Sequence, residues 1–166
     1  MIVFISLLEL AIMGVANAAD FTPHGRVFIE LVQHETSELA SPDSIPSKQV
    51  YYIIRNHLNS QMTKKLLVVS GVSLRVAARD DAPAFQLALL ELVYSNITAA
   101  LWAQQKLPEN AYFKVSKILT PFSSAVIDNR LFIVFTETAG NQQALELIKH
   151  FPEKWNQKND SDALKE

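Results

Sequence analysis

The sequence predicts an α+β fold: a two-layer sandwich in which a mostly antiparallel sheet carries about three helices packed on one face. Three observations carry that expectation. Strand-like runs crowd the second half of the chain with only short turns between them. Two segments of helical character interrupt the strands of the first half, and a third helical segment closes the chain.

Residues 26–34 (RVFIELVQH) are rich in β-branched and aromatic side chains, follow the breakers Pro23 and Gly25, and predict a first strand. Residues 36–46 (TSELASPDSIP) predict a polar loop. A helix is expected over residues 46–61, with Asp43 or Ser44 as its cap. Val50, Ile54 and Leu58 recur every four residues, with Tyr51 and Ile53 beside that stripe, while Lys48, Tyr52 and Arg55 fall on the opposite side. Residues 65–78 (KLLVVSGVSLRVAA) alternate and predict one long strand with Gly71 as a bend or bulge, or else a hairpin turning at Ser70-Gly71.

Asp80, Asp81 and Pro83 announce a second helix, expected to run to residue 105. Glu91, Ser95, Thr98 and Gln105 give it only a narrow polar stripe, which predicts the most buried element of the domain. After the break at residues 107–110 (LPEN), residues 111–119, 123–127 and 131–138 predict three strands, the last two joined by a tight turn at Asp128-Asn129. Asn141 is expected to cap a last helix that ends at Phe151, where Pro152 stops it. Residues 156–166 then form a polar tail.

The first 15 residues (MIVFISLLELAIMGV) are apolar but short of the roughly 20 needed to span a bilayer. Ala16 and Ala18 supply an A-x-A cleavage signature. The expected organisation is therefore a signal peptide at 1–18, one domain at 19–155 and the tail at 156–166. Glu9 and the lack of any Lys or Arg before the apolar run depart from the usual pattern. An ordinary N-terminal helix or an uncleaved anchor is the alternative. Cleavage implies a periplasmic or secreted address with no stable membrane span, and a chain without cysteine favours a bacterial envelope over a disulfide-stapled secreted domain.

Composition excludes several chemistries. With no cysteine there is no thiol catalysis, Cys-ligated zinc or iron–sulfur cluster. A formal charge of −2 and thinly spread cations argue against nucleic acid as a partner. The glycines are too scattered to cradle a phosphate or a dinucleotide, so no cofactor is expected. His24, His34, His57 and His150 show no i, i+4 spacing, and His34-Glu35 with Glu30 reads as a strand end rather than a metal site. Ser70 and Ser73 lack the G-x-S-x-G context of a nucleophile, and capping accounts for Asp80-Asp81. Trp102 is assigned to the core, Trp155 to the sheet edge, and the acceptor motif at Asn96 to a helix interior. No catalytic or metal-binding residue is therefore expected.

What is left as a candidate contact is the aromatic pair Tyr51 and Tyr52. The sequence favours an exported, non-enzymatic domain that binds another envelope or secreted protein, as an inhibitor, immunity partner or assembly factor. The alternatives are a carrier of a small apolar ligand and a hydrolase whose site is assembled from scattered residues. N-terminal sequencing of protein recovered from an envelope fraction is expected to begin at Ala19. Intact Met1 on cytosolic protein would refute export.

Overall fold

The computed structural model describes residues 21–36, 40–57, 63–76, 84–107, 112–115, 118–136 and 142–163. The cleavage-site residues Ala16 and Ala18, together with Asp80, Asp81 and Asn141, lie outside them. In chain order the elements are α1 (Pro23–Thr36), β1 (Ala40–Ile45), α2 (Ser47–His57), β2 (Leu66–Val76), β3 (Phe85–Tyr94), α3 (Ile97–Gln105), β4 (Tyr112–Val115), β5 (Ile118–Ile127), β6 (Arg130–Thr136) and α4 (Gln142–Ala163). The six strands lie in the order β1-β2-β3-β6-β5-β4, and every pairing is antiparallel. The α+β class and the antiparallel sheet are as expected.

The helical layer is fuller than one face. Leu87 and Leu89 of β3 and Phe132 and Val134 of β6 pack with α1 and α4. The alternate residues Ala88, Leu90, Leu92, Leu131 and Ile133 pack with α2 and α3. The sheet is therefore the middle of a helix–sheet–helix sandwich.

That two-sided burial explains the main departure from expectation. Residues 85–94 (FQLALLELVY) form a strand, not the first half of a long helix. A strand covered on both faces needs apolar residues in both phases, so it loses its alternation and resembles a buried helix in sequence. The helix expected there is confined to Ile97–Gln105, and Asn96 is its N-cap, accepting from the Ala99 amide at 2.9 Å. Asn96 therefore stands at an exposed helix start rather than in a helix interior.

The segment expected as the first strand is helix α1. Val27, Phe28, Leu31 and Val32 form its buried stripe. Thr22 caps it, its hydroxyl accepting from the Gly25 amide at 3.0 Å, and Pro23 occupies the first helical position, where a missing N–H is harmless. Pro23 is a start signal here, not a breaker. Residues 40–45, expected as loop, form edge strand β1, whose Pro42 is tolerated because it sits at an edge. Asp43 and Ser44 therefore lie in β1 and do not cap α2.

Strand β2 runs unbroken through Gly71, which pairs with both Ile45 and Leu90. The ladder's irregularity lies between Leu66 and Val68 instead. Glycine is needed at 71 for closeness: a Cβ there would stand 3.0 Å from both the Ile45 Cβ and the Val50 Cγ2. The strand expected at residues 111–119 divides into β4 and the start of β5. The two-residue turn at Asp128-Asn129 is as expected, with Asp128 at φ 53° and Ile127 facing Arg130.

Helix α4 passes through Pro152 and ends at Ala163, so the expected stop and polar tail are replaced by helix. An internal proline costs about 3 kcal/mol. Beyond it, Trp155 packs on the α1–α4 core, and Lys158 reaches Glu30 of α1 at 2.9 Å, contacts that offset the lost hydrogen bond. No helix among the described residues is long and apolar enough to cross a membrane.

Leu89 and Leu90, adjacent on β3 and each 1% exposed, face opposite helical layers. Leu89→Ala and Leu90→Ala are each expected to lose about 2–5 kcal/mol in denaturant titrations. Exposed Gln105→Ala should stay within about 0.5 kcal/mol. Near-neutral behaviour of either leucine would mean that its face is uncovered.

Candidate functional site

Helix α2 is pinned to the sheet at its first turn. The Ser47 hydroxyl donates to the Val69 carbonyl at 3.1 Å, and the Gln49 and Val50 amides donate to the Pro46 carbonyl. Val50 and Ile54 are buried against the sheet. Three to four residues separate neighbours on one helix face, so this stripe turns Lys48, Tyr51, Tyr52 and Arg55 outward. Tyr51 is 42% exposed and Tyr52 58% exposed. With Thr63 these four residues line an open groove of about 440 Å³. The two tyrosines singled out from sequence are thus brought together on one surface. The cations that join them, Lys48 and Arg55, were identifiable only as the polar side of the helix.

Other apolar side chains are exposed outside the groove. Leu67, Val68, Ile97 and Leu101 are the other large hydrophobic residues exposed among the described residues. All belong to α3 or to the start of β2, and none to α1 or α4. Short helix α3 buries Ala100 and Ala103 and leaves Ile97 and Leu101 in solvent. Trp102, assigned to the core, is only partly buried, with the Lys65 ammonium 4.4 Å from its ring centroid.

A second polar arrangement lies under α1. Glu91, 2% exposed, projects from β3 into the α1–α4 layer. Its carboxylate accepts from the Arg130 guanidinium at 2.6 Å, the Thr22 hydroxyl at 2.5 Å and the Ser70 hydroxyl at 3.2 Å. His24 Nδ1 stands 3.8 Å from the same carboxylate, beyond hydrogen-bond length. The His24 ring stacks on Trp155 at 3.7 Å and tilts against Phe132 at 5.4 Å. Its Nε2 is buried with no hydrogen-bond partner among the described residues.

Sequence reasoning missed this centre because it placed Glu91 on a helix. The available signal was a lone carboxylate inside the apolar run 85–94. Three donors occupy the carboxylate, and the Arg130 guanidinium among them opposes its charge.

The other weighed residues disperse. Ser73 is buried and accepts from Gln86 at 2.9 Å, His34 and His150 are exposed on separate helices, and Glu30 pairs with Lys158. The His57 side chain lies outside the description. On the opposite face, the Tyr94 hydroxyl is buried without a partner among the described residues, and burial pushes its pKa up to about 12. Among the described residues no three His, Asp or Glu side chains group as a metal site. The chain matches no protein-family model, no curated protein and no solved structure.

Burial holds the His24 pKa below its usual 6.5; Glu91 and Asp128 oppose the shift, and Arg130 reinforces it. The unfolded chain therefore takes up a proton near pH 6.5 that the native state resists. This contribution to stability is complete above pH 6.5 and declines as pH falls through the folded-state value. Urea unfolding between pH 7 and 5 should show that decline, and His24→Phe should reduce it. An identical slope in the variant would remove His24 from the account.

Proposed function

We propose that the protein acts by binding another protein through the outward face of α2. In this reading it is an exported, non-enzymatic domain of the cell envelope, of the inhibitor, immunity or assembly-factor kind. One observation carries the proposal: two adjacent tyrosines, half-exposed or more, stand beside an open groove on a helix whose inner face is fixed to the sheet. Aromatic side chains presented on a rigid element supply large contact area at little entropic loss, and tyrosine is enriched among residues that dominate binding energy.

The chemistry of the rest of the molecule agrees with binding rather than turnover. The buried Glu91 centre has its acceptors filled by Arg130, Thr22 and Ser70, and it is covered by Trp155 stacked on His24. On the α2–α3 side, the space above the sheet is filled by Val50, Ile54, Ala100 and Ala103, which favours recognition at the surface over an enclosed ligand.

The test is affinity capture from an envelope fraction with the full chain and with the double variant Tyr51→Ala, Tyr52→Ala. Both positions are exposed, so the melting temperature should change by no more than a few degrees. A specific partner retained by the natural chain should be lost or weakened at least about tenfold in the double variant. Capture that is indifferent to both tyrosines would overturn this assignment of the contact face.

A further inference from the structure

The groove beside Tyr51 and Tyr52 lies in a part of the chain with an unusual charge distribution. Residues 44–79 contain Lys48, Arg55, Lys64, Lys65, Arg75 and Arg79, and not one Asp or Glu. Elsewhere nine cations stand against 17 carboxylates. The small net charge of −2 therefore hides a basic segment within an acidic remainder.

The fold turns that segment into a surface. Lys48, Arg55, Lys64 and Lys65 are all exposed. Helices α2 and α3, which make up this layer, contain no carboxylate. Among the described residues Lys48, Arg55 and Lys64 form no ion pair. In the opposite layer the helices carry carboxylates, and Lys149 pairs with Glu146 at 2.6 Å and Lys158 with Glu30 at 2.9 Å, although Arg26 and Lys154 form no ion pair among the described residues. Cations without an ion pair among the described residues, together with Tyr51, Tyr52, Ile97 and Leu101, thus lie on the α2–α3 side of the sheet.

Resting on the protein-binding reading above, we infer that the occupant of this groove is an acidic segment of the partner protein. Its carboxylates pair with Lys48, Arg55 and Lys64 while apolar side chains between them lie against Tyr51 and Tyr52. Charge complementarity selects the acidic partner. An acidic remainder on this chain repels a long phosphate backbone, and two cations lining the groove, with Lys64 next in sequence to its Thr63, suit a short run of carboxylates better than a nucleic acid, which needs an extended basic stripe. The pairs are at the rim and solvent-exposed, so they set association rate and salt dependence more than maximal affinity.

The experiment uses the full chain and a fluorescent twelve-residue peptide of Glu, Leu, Gly and Ser, its counterpart with Gln for every Glu, and a single-stranded oligonucleotide. Fluorescence anisotropy is read from 50 to 300 mM salt. The Glu peptide should bind, weaken as salt rises, and lose about tenfold in affinity to Lys48→Glu, Arg55→Glu, while the Gln peptide should bind at least about tenfold more weakly. Equal binding of the two peptides, or tighter binding of the oligonucleotide, would overturn the acidic-peptide assignment. So would a concentration-dependent dimer that the charge-reversed variant dissolves, because the occupant would then be the acidic surface of a second copy. Envelope capture separates the two levels of the argument. Capture lost in the tyrosine variant but kept in the charge-reversed one sinks only the acidic segment, whereas capture kept in both sinks the contact face itself.

Discussion

Strands β3 and β6 run side by side through the middle of the sheet, and from Leu87 to Leu92 and from Leu131 to Thr136 all their residues are buried. Most of the structure follows from that pair. A strand buried on both faces must be covered twice, so helices are required on each side rather than on one. It must also neutralise any charge it carries. Glu91 is the sole carboxylate of β3, and an unpaired ion at that depth is prohibitively unfavourable. Arg130 from β6, Ser70 from β2 and the Thr22 cap of α1 converge on it. Thr22 thus does two jobs: it starts α1 and binds that helix to the centre of the sheet.

The two covering layers are built differently. On the α1–α4 side, a 22-residue helix buries Leu145, Leu147, Ile148 and Phe151. Phe151 meets Phe28 and Phe132 edge-on at 5.3 and 5.0 Å, a geometry aromatic quadrupoles favour. On the other side, α2 has 11 residues and α3 has nine, and α3 inserts only two alanines fully into the core. Two short helices cover the sheet without hiding their own outer apolar side chains. Tyr51, Tyr52, Ile97 and Leu101 are exposed for that reason.

Legibility in the sequence tracks the number of faces an element buries. Helix α2 and strand β2 each keep recognisable polar positions, and their periodicity identifies both with ends near those observed. The turn at Asp128-Asn129 is legible because its residues suit a left-handed backbone. Strand β3 is not legible, since an apolar residue in both phases erases the alternation that marks a strand. Helix α1 is hidden by Pro23 and Gly25, which are punctuation at a helix start but read as breakers when taken alone. Of the candidate site, Tyr52 is legible from α2's periodicity and Tyr51 only as its aromatic neighbour beside the apolar stripe, whereas the Glu91 centre joins residues up to 108 positions apart and no local pattern marks it.

The groove beside α2 inherits its rigidity from Gly71. With only a hydrogen at that position, Ile45 of the edge strand and Val50 of α2 come within 3.0 Å of where a Cβ would stand, so a larger residue would push one of them back. The Ser47 bond to the Val69 carbonyl fixes the same helix two residues along the same strand. A helix held at two neighbouring points of one strand has little freedom to rotate, so Tyr51, Tyr52, Lys48 and Arg55 are presented in one arrangement before any partner arrives. Preorganisation of this kind lowers the entropic cost of association. It also makes local charge matter more than net charge, because at physiological ionic strength interactions are screened beyond about 8 Å. The acidic segment proposed above would meet the cations of α2 at short range, while the carboxylates of the α1–α4 helices lie behind the sheet.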